Sequence, residues 1–446
     1  MQGNLDTPDP DRVRGYFMPP GGKTGRFTTG TRPVLLYNQR TVKPVDMIYL
    51  DHNATTPMAP EVMGAMQEVV SEQWANPSSI HRLGQLAKRR LEGARERVSA
   101  FIGSEPDEIV FTGGGTESVN TAIRSCLRER SDRRLVVTSQ VEHSAVRELL
   151  EDLEPTGVET LKLPNDSNGV VDVEALSKLL AERGDETALV SVMWANNETG
   201  VIEPVGRVGA LCREHGVLFH SDGTQWVGKM PADMSSMPFD MLSFAAHKFH
   251  GPKGVGVLYT RRNTPYHSLV IGGGQEGGRR GGTENVPGIV GLSEACNLSE
   301  AWFKSGGPDH MSSVRAGFED GLLEMLPDAC INGREADRMW STTSVGFPGL
   351  ESELVLLMLS EHGVCASSGS ACSSGALKPS KVIEAIGRQP CQVADVPYGA
   401  VRLSLGRETT SEELAKATTI IGDVVNRLQE DRDGVSVQRT EQLDPS

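Results

Sequence analysis

Aromatic side chains and long apolar runs are both scarce in this chain. Phe, Trp and Tyr make up only 5% of its 446 residues. No apolar stretch approaches the ~20 residues that cross a bilayer, which argues against a membrane partner or anchor. Positive charge is in deficit too: 44 Lys and Arg face 59 Asp and Glu, for a net charge of −15. So acidic a surface disfavours direct nucleic-acid binding. The seven cysteines include no Cys-x-x-Cys pair and no Cys/His cluster at zinc-ligand spacing. That pattern speaks for reduced thiols, mostly in the core, in a cytoplasmic compartment, and against a permanent metal site. No signal-peptide pattern opens the chain, and Asp6, Asp9 and Asp11 come too early for a transit peptide.

Glycine, by contrast, is abundant, with 49 residues. From Glu108 onward, short apolar runs alternate with amphipathic stretches: Glu108–Phe111, Arg134–Thr138, Ala188–Met193 and Val217–Ser221 read as strands. Each feeds a polar loop and then a helix, as from Glu117 to Arg130. This is the signature of a mainly parallel, mixed central sheet flanked by helices in an α/β protein. Shorter elements follow from about residue 304 and suggest a smaller α+β domain. The expected organisation is a disordered extension over 1–45, a large domain over 59–303, a small domain from 46–58 and 304–426, and a polar tail over 427–446.

Five segments carry chemistry. Phe111-Thr112-Gly113-Gly114-Gly115-Thr116-Glu117 runs from a strand through a glycine turn into a helix, whose first N–H groups can cradle a phosphate. A plain turn fits it as well, and the spacing is that of neither a dinucleotide fingerprint nor a P-loop. His143 follows a strand, where it can stack on a planar group, move a proton or serve only structure. Asn197, Asp222 and Gln225 sit at strand ends; a buried Asp there needs a cationic partner such as a protonated ring nitrogen, although loop capping is the ordinary use of such residues. Lys248 follows the apolar run Met241–Ala246 into small residues, where a desolvated amine can form a Schiff base. Finally, Cys372 stands alone within Ala366-Ser367-Ser368-Gly369-Ser370-Ala371-Cys372-Ser373-Ser374-Gly375, a setting that suits a reaching nucleophile or a plain linker. An anion cradle, a ring-nitrogen Asp and a Lys in that order are what pyridoxal phosphate requires.

On these segments the chain resembles the cysteine desulfurases, pyridoxal-phosphate enzymes of the class V aminotransferase type. Further likeness lies in Tyr49–Pro57, Asn76–His81, Gly281–Asn285 and Arg402–Gly406, and extends over about Met47 to Asn426. The loop around Cys372 is similar to that of the nitrogen-fixation and housekeeping iron–sulfur group. The resemblance implies fold type I and a homodimer. It implies that Lys248 binds the cofactor, with Gly115, Thr116, His247 and the second subunit's Thr283 at its phosphate. Asp222 would pair with the ring nitrogen, Asn197 and Gln225 would lie near the ring oxygen, and His143 would stack on the ring face and help deprotonate the nucleophile. Arg402, with Asn197, would hold the carboxylate of L-cysteine. Cys372 would take the sulfur for an iron–sulfur scaffold or another acceptor protein and be at most a transient iron–sulfur ligand. Ala245 replaces a Ser common in the family, leaving Ser243, on the same strand face, as the nearest hydroxyl. Trp226 stands where a small residue is usual, and Arg388–Tyr398, with Cys391, is long. Rival readings are a selenocysteine lyase, another class V enzyme, and a non-catalytic scaffold in a sulfur-transfer complex.

Overall fold

The computed structural model describes residues 47–368, 380–387 and 400–442, with side chains as far as residue 433. The expected extension over 1–45, Cys372, and the 388–398 segment with Cys391 lie outside the described residues. In chain order the elements begin β1 (Ile48–Tyr49), α1 (Pro60–Glu72), α2 (Arg82–Phe101), β2 (Ile109–Thr112), α3 (Gly115–Glu129) and β3 (Leu135–Ser139). There follow α4 (Ser144–Leu153), β4 (Glu159–Leu163), α5 (Val173–Arg183), β5 (Thr187–Ser191), α6 (Val205–Glu214), β6 (Leu218–Asp222), β7 (Met241–Ala245) and β8 (Gly256–Thr260). The C-terminal part adds α7 (Val286–Lys304), α8 (Gly307–Met325), β9 (Cys330–Ile331), β10 (Thr342–Gly346), α9 (Ser352–Glu361) and β11 (Val364–Cys365). It closes with α10 (Lys381–Ala385), β12 (Ala400–Ser404) and α11 (Ser411–Gln442).

The centre is a seven-stranded sheet in the order β2-β8-β7-β6-β5-β3-β4. Neighbours from β7 to β4 are parallel, and β8 is antiparallel to both β2 and β7. The sheet is therefore mixed, and β2, β3, β5, β6 and β7 all end at the same edge. Every residue of β2, β3, β5, β6, β7 and β8 is buried. That explains their continuous apolar runs, since both faces must be covered. Leu91 and Val98 of α2, Leu176 of α5 and Ile289 of α7 belong to one apolar cluster. Ile123 of α3 and Leu149 of α4 belong to another. A further cluster gathers Leu50 with Leu322, Val345, Leu403 and Ile421 around the antiparallel sheet β12-β10-β9, and β1 pairs in parallel with β11.

One expectation needs correction: the tail expected from residue 427 is helical, with α11 running on to Gln442, Leu428 buried and Arg432 donating to the Pro348 carbonyl at 3.2 Å. Packing of one apolar position and one long-range hydrogen bond carries the helix past the point where its composition turns polar. Cys126, Cys212, Cys296 and Cys365 are free. The first three free thiols are buried, and burial raises their pKa values, so they behave as small apolar side chains. No helix among the described residues is long and apolar enough to cross a membrane.

Candidate active site

The shared edge of the five strands brings together side chains that are far apart in sequence, as open α/β sheets do. The turn between β2 and α3 comes first. Gly114 has φ 154°, and a Cβ on the facing Gly256 of β8 would lie 2.5 Å from the Gly114 backbone. The approach requires glycine at 256; a Cβ on Gly114 would meet nothing within 4 Å, and that residue's glycine serves its positive φ instead. α3 then starts without a side-chain cap. Glu117 Oε2 accepts from Gly113 N at 2.8 Å, while Arg280 Nε donates to Glu117 Oε1 at 3.0 Å. Arg280 thereby fastens the loop that bears Thr283, itself exposed, to the start of α3. Thr116 is exposed there, and Thr224 Oγ1 lies 3.2 Å from where a Gly115 Cβ would be. Ala245 offers only its methyl group, 3.7 Å from the same point.

Ser243 is not brought to this cradle. It lies one pleat back in β7 and is fully buried, with its Oγ 2.9 Å from His220 Nε2. His220 Nδ1 in turn lies 2.9 Å from Ser191 Oγ, so the hydroxyl is absorbed by a chain across three strands. Thr224 is the hydroxyl that stands in the gap. Its place in Asp222-Gly223-Thr224-Gln225, two residues past a strand end, was the signal for it.

Asp222 ends β6 and is 6% exposed. Its Oδ1 accepts from Thr224 N at 3.0 Å, and its second oxygen has no hydrogen-bond partner among the described residues. His143 caps α4: its Nδ1 accepts from Ala145 N at 3.1 Å. Burial lowers its pKa, against the attraction of Asp222. Because Nδ1 accepts a backbone hydrogen, the ring carries its proton on Nε2. Lys248 leaves a helical turn just after β7, and its Nζ donates to the carbonyls of Asn53 and Ala54 at 2.7 and 3.0 Å. The carbonyl of Asn53 also accepts from Gln225 Nε2 at 3.1 Å, so Lys248 and Gln225 converge on one atom. His247 Nδ1 lies 3.1 Å from Thr55 Oγ1 and, through burial and the nearby lysines, has its pKa lowered to about 4.

Arg402 of β12 approaches from the C-terminal sheet. It is 3% exposed, and its guanidinium pairs with Asp51 Oδ1 at 2.8 Å and donates to the Asn197 carbonyl at 3.0 Å. Its Nε and the Asn197 Oδ1 are buried without a hydrogen-bond partner among the described residues. Unpaired donors and acceptors at such depth are costly unless a ligand completes them. Trp226, which stands where a small residue is usual in the family, stacks on Trp194 with ring centroids 4.5 Å apart. Sequence reasoning missed Asn53 and Lys229. Lys229 Nζ donates to Asn53 Oδ1 at 2.7 Å and to Gln225 Oε1 at 2.6 Å. Gln225 is four residues from Lys229, but Asn53 is 176 residues away, between β1 and α1, and nothing local in the sequence marks that contact.

The family model for aminotransferase class-V matches residues 48–416. The chain belongs to this family of pyridoxal-phosphate enzymes. It is 44% identical over 389 residues to a cysteine desulfurase of Cereibacter sphaeroides, covering 86% of this chain and 97% of that one. To the cysteine desulfurase NifS of Azotobacter vinelandii it is 42% identical over 387 residues, 86% of this chain and 93% of the other. A solved NifS-like protein superposes with a TM-score of 0.78 at 35% identity, covering 85% of this chain and 99% of its own. These relatives place the chain among the cysteine desulfurases, with pyridoxal phosphate as cofactor. The residues present fit that group: a helix start with free N–H groups and two hydroxyls for the phosphate, a half-partnered buried carboxylate for the ring nitrogen, and a lysine at the rim.

Proposed function

We propose that the chain removes sulfur from L-cysteine, releases L-alanine and holds the sulfur as a persulfide on Cys372 for an acceptor protein, with iron–sulfur assembly as its destination. The observation that carries the reading is the convergence of Lys248, Asp222, His143 and the start of α3 on one strand edge, with Arg402 and its unpartnered Nε beside them. The chain flanking the segment that bears Cys372 is tied to the same place. Ser367 pairs with Arg402 through two backbone hydrogen bonds of 3.2 and 2.6 Å, and Ser380 Oγ donates to Glu198, next to Asn197.

Bound pyridoxal phosphate supplies an electron sink for charge released at the substrate Cα. The N–H groups of Gly115 and Thr116, with the hydroxyls of Thr116 and Thr224 and the His247 ring, hold its phosphate. The second oxygen of Asp222, which has no hydrogen-bond partner among the described residues, would pair with the ring nitrogen and favour its protonated form. His143, its Nδ1 held by Ala145 N, lends a flat face. Lys248 Nζ removes the Cα proton and later returns one. Arg402 fixes the substrate carboxylate by a charge-assisted contact that Asp51 orients. The Cys372 thiolate then attacks the substrate sulfur: an S–S bond forms, the Cβ–S bond breaks, and the carbon keeps the electron pair and takes a proton. Thr283, exposed on a loop tied to Glu117, is assigned to the phosphate of a second subunit in a homodimer. Cofactor-loaded protein given L-cysteine should yield alanine and protein-bound sulfur in step. Cys372→Ser should stay yellow yet bind no sulfur, and Lys248→Ala should lose the visible band. Full alanine and bound sulfur from Cys372→Ser would refute the assignment.

A further inference from the structure

Lys229 is 3% exposed and, among the described residues, forms no ion pair. Lysine is seldom buried without an acidic partner. Burial, then the charges of Lys248 and Arg402, push its pKa well below the usual lysine value. Such a residue needs a reason to be there, and the hydrogen bonds around it supply one. Asn53 does not depend on Lys229: its Nδ2 donates to Thr342 Oγ1 at 2.8 Å and to the Asn197 carbonyl at 3.2 Å, so its amide is oriented from the other side. Gln225 does depend on it. Lys229 Nζ is the hydrogen-bond partner of Gln225 Oε1.

We propose that Lys229 is a positioning residue that acts through Gln225. Its amine holds Gln225 Oε1, so the amide cannot flip and must present Nε2 to the Asn53 carbonyl and the crevice. An amine has only hydrogens to offer a carbonyl oxygen, whether it carries two or three, so the clamp works in either protonation state. The consequence for the cofactor rests on the reading of the site above. Gln225 can only donate toward the ring oxygen, and one of its amide hydrogens is already spent on Asn53. Without Lys229 the amide can turn its oxygen toward the ring oxygen, replacing an attraction by a repulsion. The side chain that reads the ring would then be set by a residue that never touches it.

A double-mutant cycle tests this, with pyridoxal phosphate as the probe. Lys229→Met keeps the length of the side chain and removes the donor. Lys229→Gln keeps a donor in a smaller polar side chain and serves if the Met variant does not fold. Cofactor dissociation constants and the pH midpoint of the yellow absorbance band are measured for wild type, each Lys229 variant, Gln225→Ala and the double variants. The expected result is a roughly tenfold weaker cofactor affinity and a displaced band midpoint for Lys229→Met in the wild-type background. In the Gln225→Ala background the same change should cost less than about twofold. Lys229→Gln should recover part of the affinity. Additive effects, or an unmoved midpoint in variants that still load cofactor and turn over cysteine, would overturn the positioning role and leave the proposed function standing. A native chain that binds no pyridoxal phosphate would instead sink both.

Discussion

Gly256→Ala places one methyl group against the cofactor cradle, and its effect can be worked from the distances. A Cβ on Gly256 would lie 2.5 Å from the carbonyl carbon of Gly114, 2.7 Å from its Cα and 2.7 Å from its oxygen. Ordinary contact begins near 3.4 Å, so about 0.9 Å must be found. The obstructing atoms are backbone, and no rotamer change can yield it. Gly256 is itself held by strand pairing to Thr112 on one side and Ala245 on the other. The Gly113–Gly115 turn is the softer partner, so it moves, carrying with it the first N–H groups of α3. A shift of nearly 1 Å takes a 2.9 Å hydrogen bond out of range. Losing one or two charge-assisted bonds of about 1.5–3 kcal/mol each weakens phosphate binding by about 1.5–6 kcal/mol, or at least about tenfold. Overpacking adds about 1–3 kcal/mol of instability. The assay is titration of the apoprotein with pyridoxal phosphate, read by absorbance, beside a thermal melt. Gly64→Ala in α1 is the control: a Cβ there meets nothing within 4 Å, so it should bind cofactor normally and melt slightly higher. A Gly256→Ala protein that holds its cofactor as tightly as wild type would refute the reasoning, because the cradle would then not depend on this approach.

Two more outcomes follow from other parts of the site. Glu142 is fully inside, with Ser139 Oγ and Met193 N on Oε1 and nothing on Oε2, and burial raises its pKa from 4.5 to about 8; between those values the folded state keeps a proton that the unfolded state has released, so stability falls as pH rises. Glu142→Gln should remove up to about 1.4 kcal/mol per pH unit of that slope, and melting curves of variant and wild type that stay parallel from pH 5 to 8 would contradict it. Arg402→Lys keeps the charge but, after Asp51 and Asn197 are served, leaves about one donor for substrate where arginine leaves about three; KM for L-cysteine should rise about ten- to a hundredfold with kcat changed far less, and a KM within a factor of about two would count against Arg402 as the carboxylate anchor.

Much of this was legible in the sequence because the relevant signals are local. The glycine turn before α3, the strand ending in Asp222 and the apolar run before Lys248 each combine a periodic segment with a break, and each element is where its pattern places it. The boundaries moved by a residue or two: α3 starts at Gly115 rather than Glu117, since its first turn is stabilised by tertiary contacts and not by a cap. What was not legible depends on pairing. Ser243 sits on the expected face of β7, but only the register of β6 against β7 shows that His220 has taken its hydroxyl. The persistence of α11 beyond residue 427 is likewise decided by a partner distant in sequence, the Pro348 carbonyl.

The least readable residue ties the site together. Asn53 lies in a segment with no periodicity, between the short strand β1 and α1. Its backbone N–H donates to Ser404 Oγ at 2.9 Å, its side-chain amide to Thr342 and Asn197, and its two oxygens accept from Lys248, Gln225 and Lys229. Ser404 and Thr342 belong to the C-terminal antiparallel sheet; Gln225, Lys229 and Lys248 follow strands of the large one. Two amines, each unfavourable to bury alone, share the acceptors of this single residue. The cofactor lysine and the substrate arginine are thus referenced to a common point: Arg402 and Asn53 both donate to the Asn197 carbonyl. A displacement of either sheet would alter the Lys248 and Arg402 contacts together, so the distance between the amine that moves the proton and the guanidinium that holds the carboxylate is fixed by one asparagine, not by the stiffness of two separate sheets.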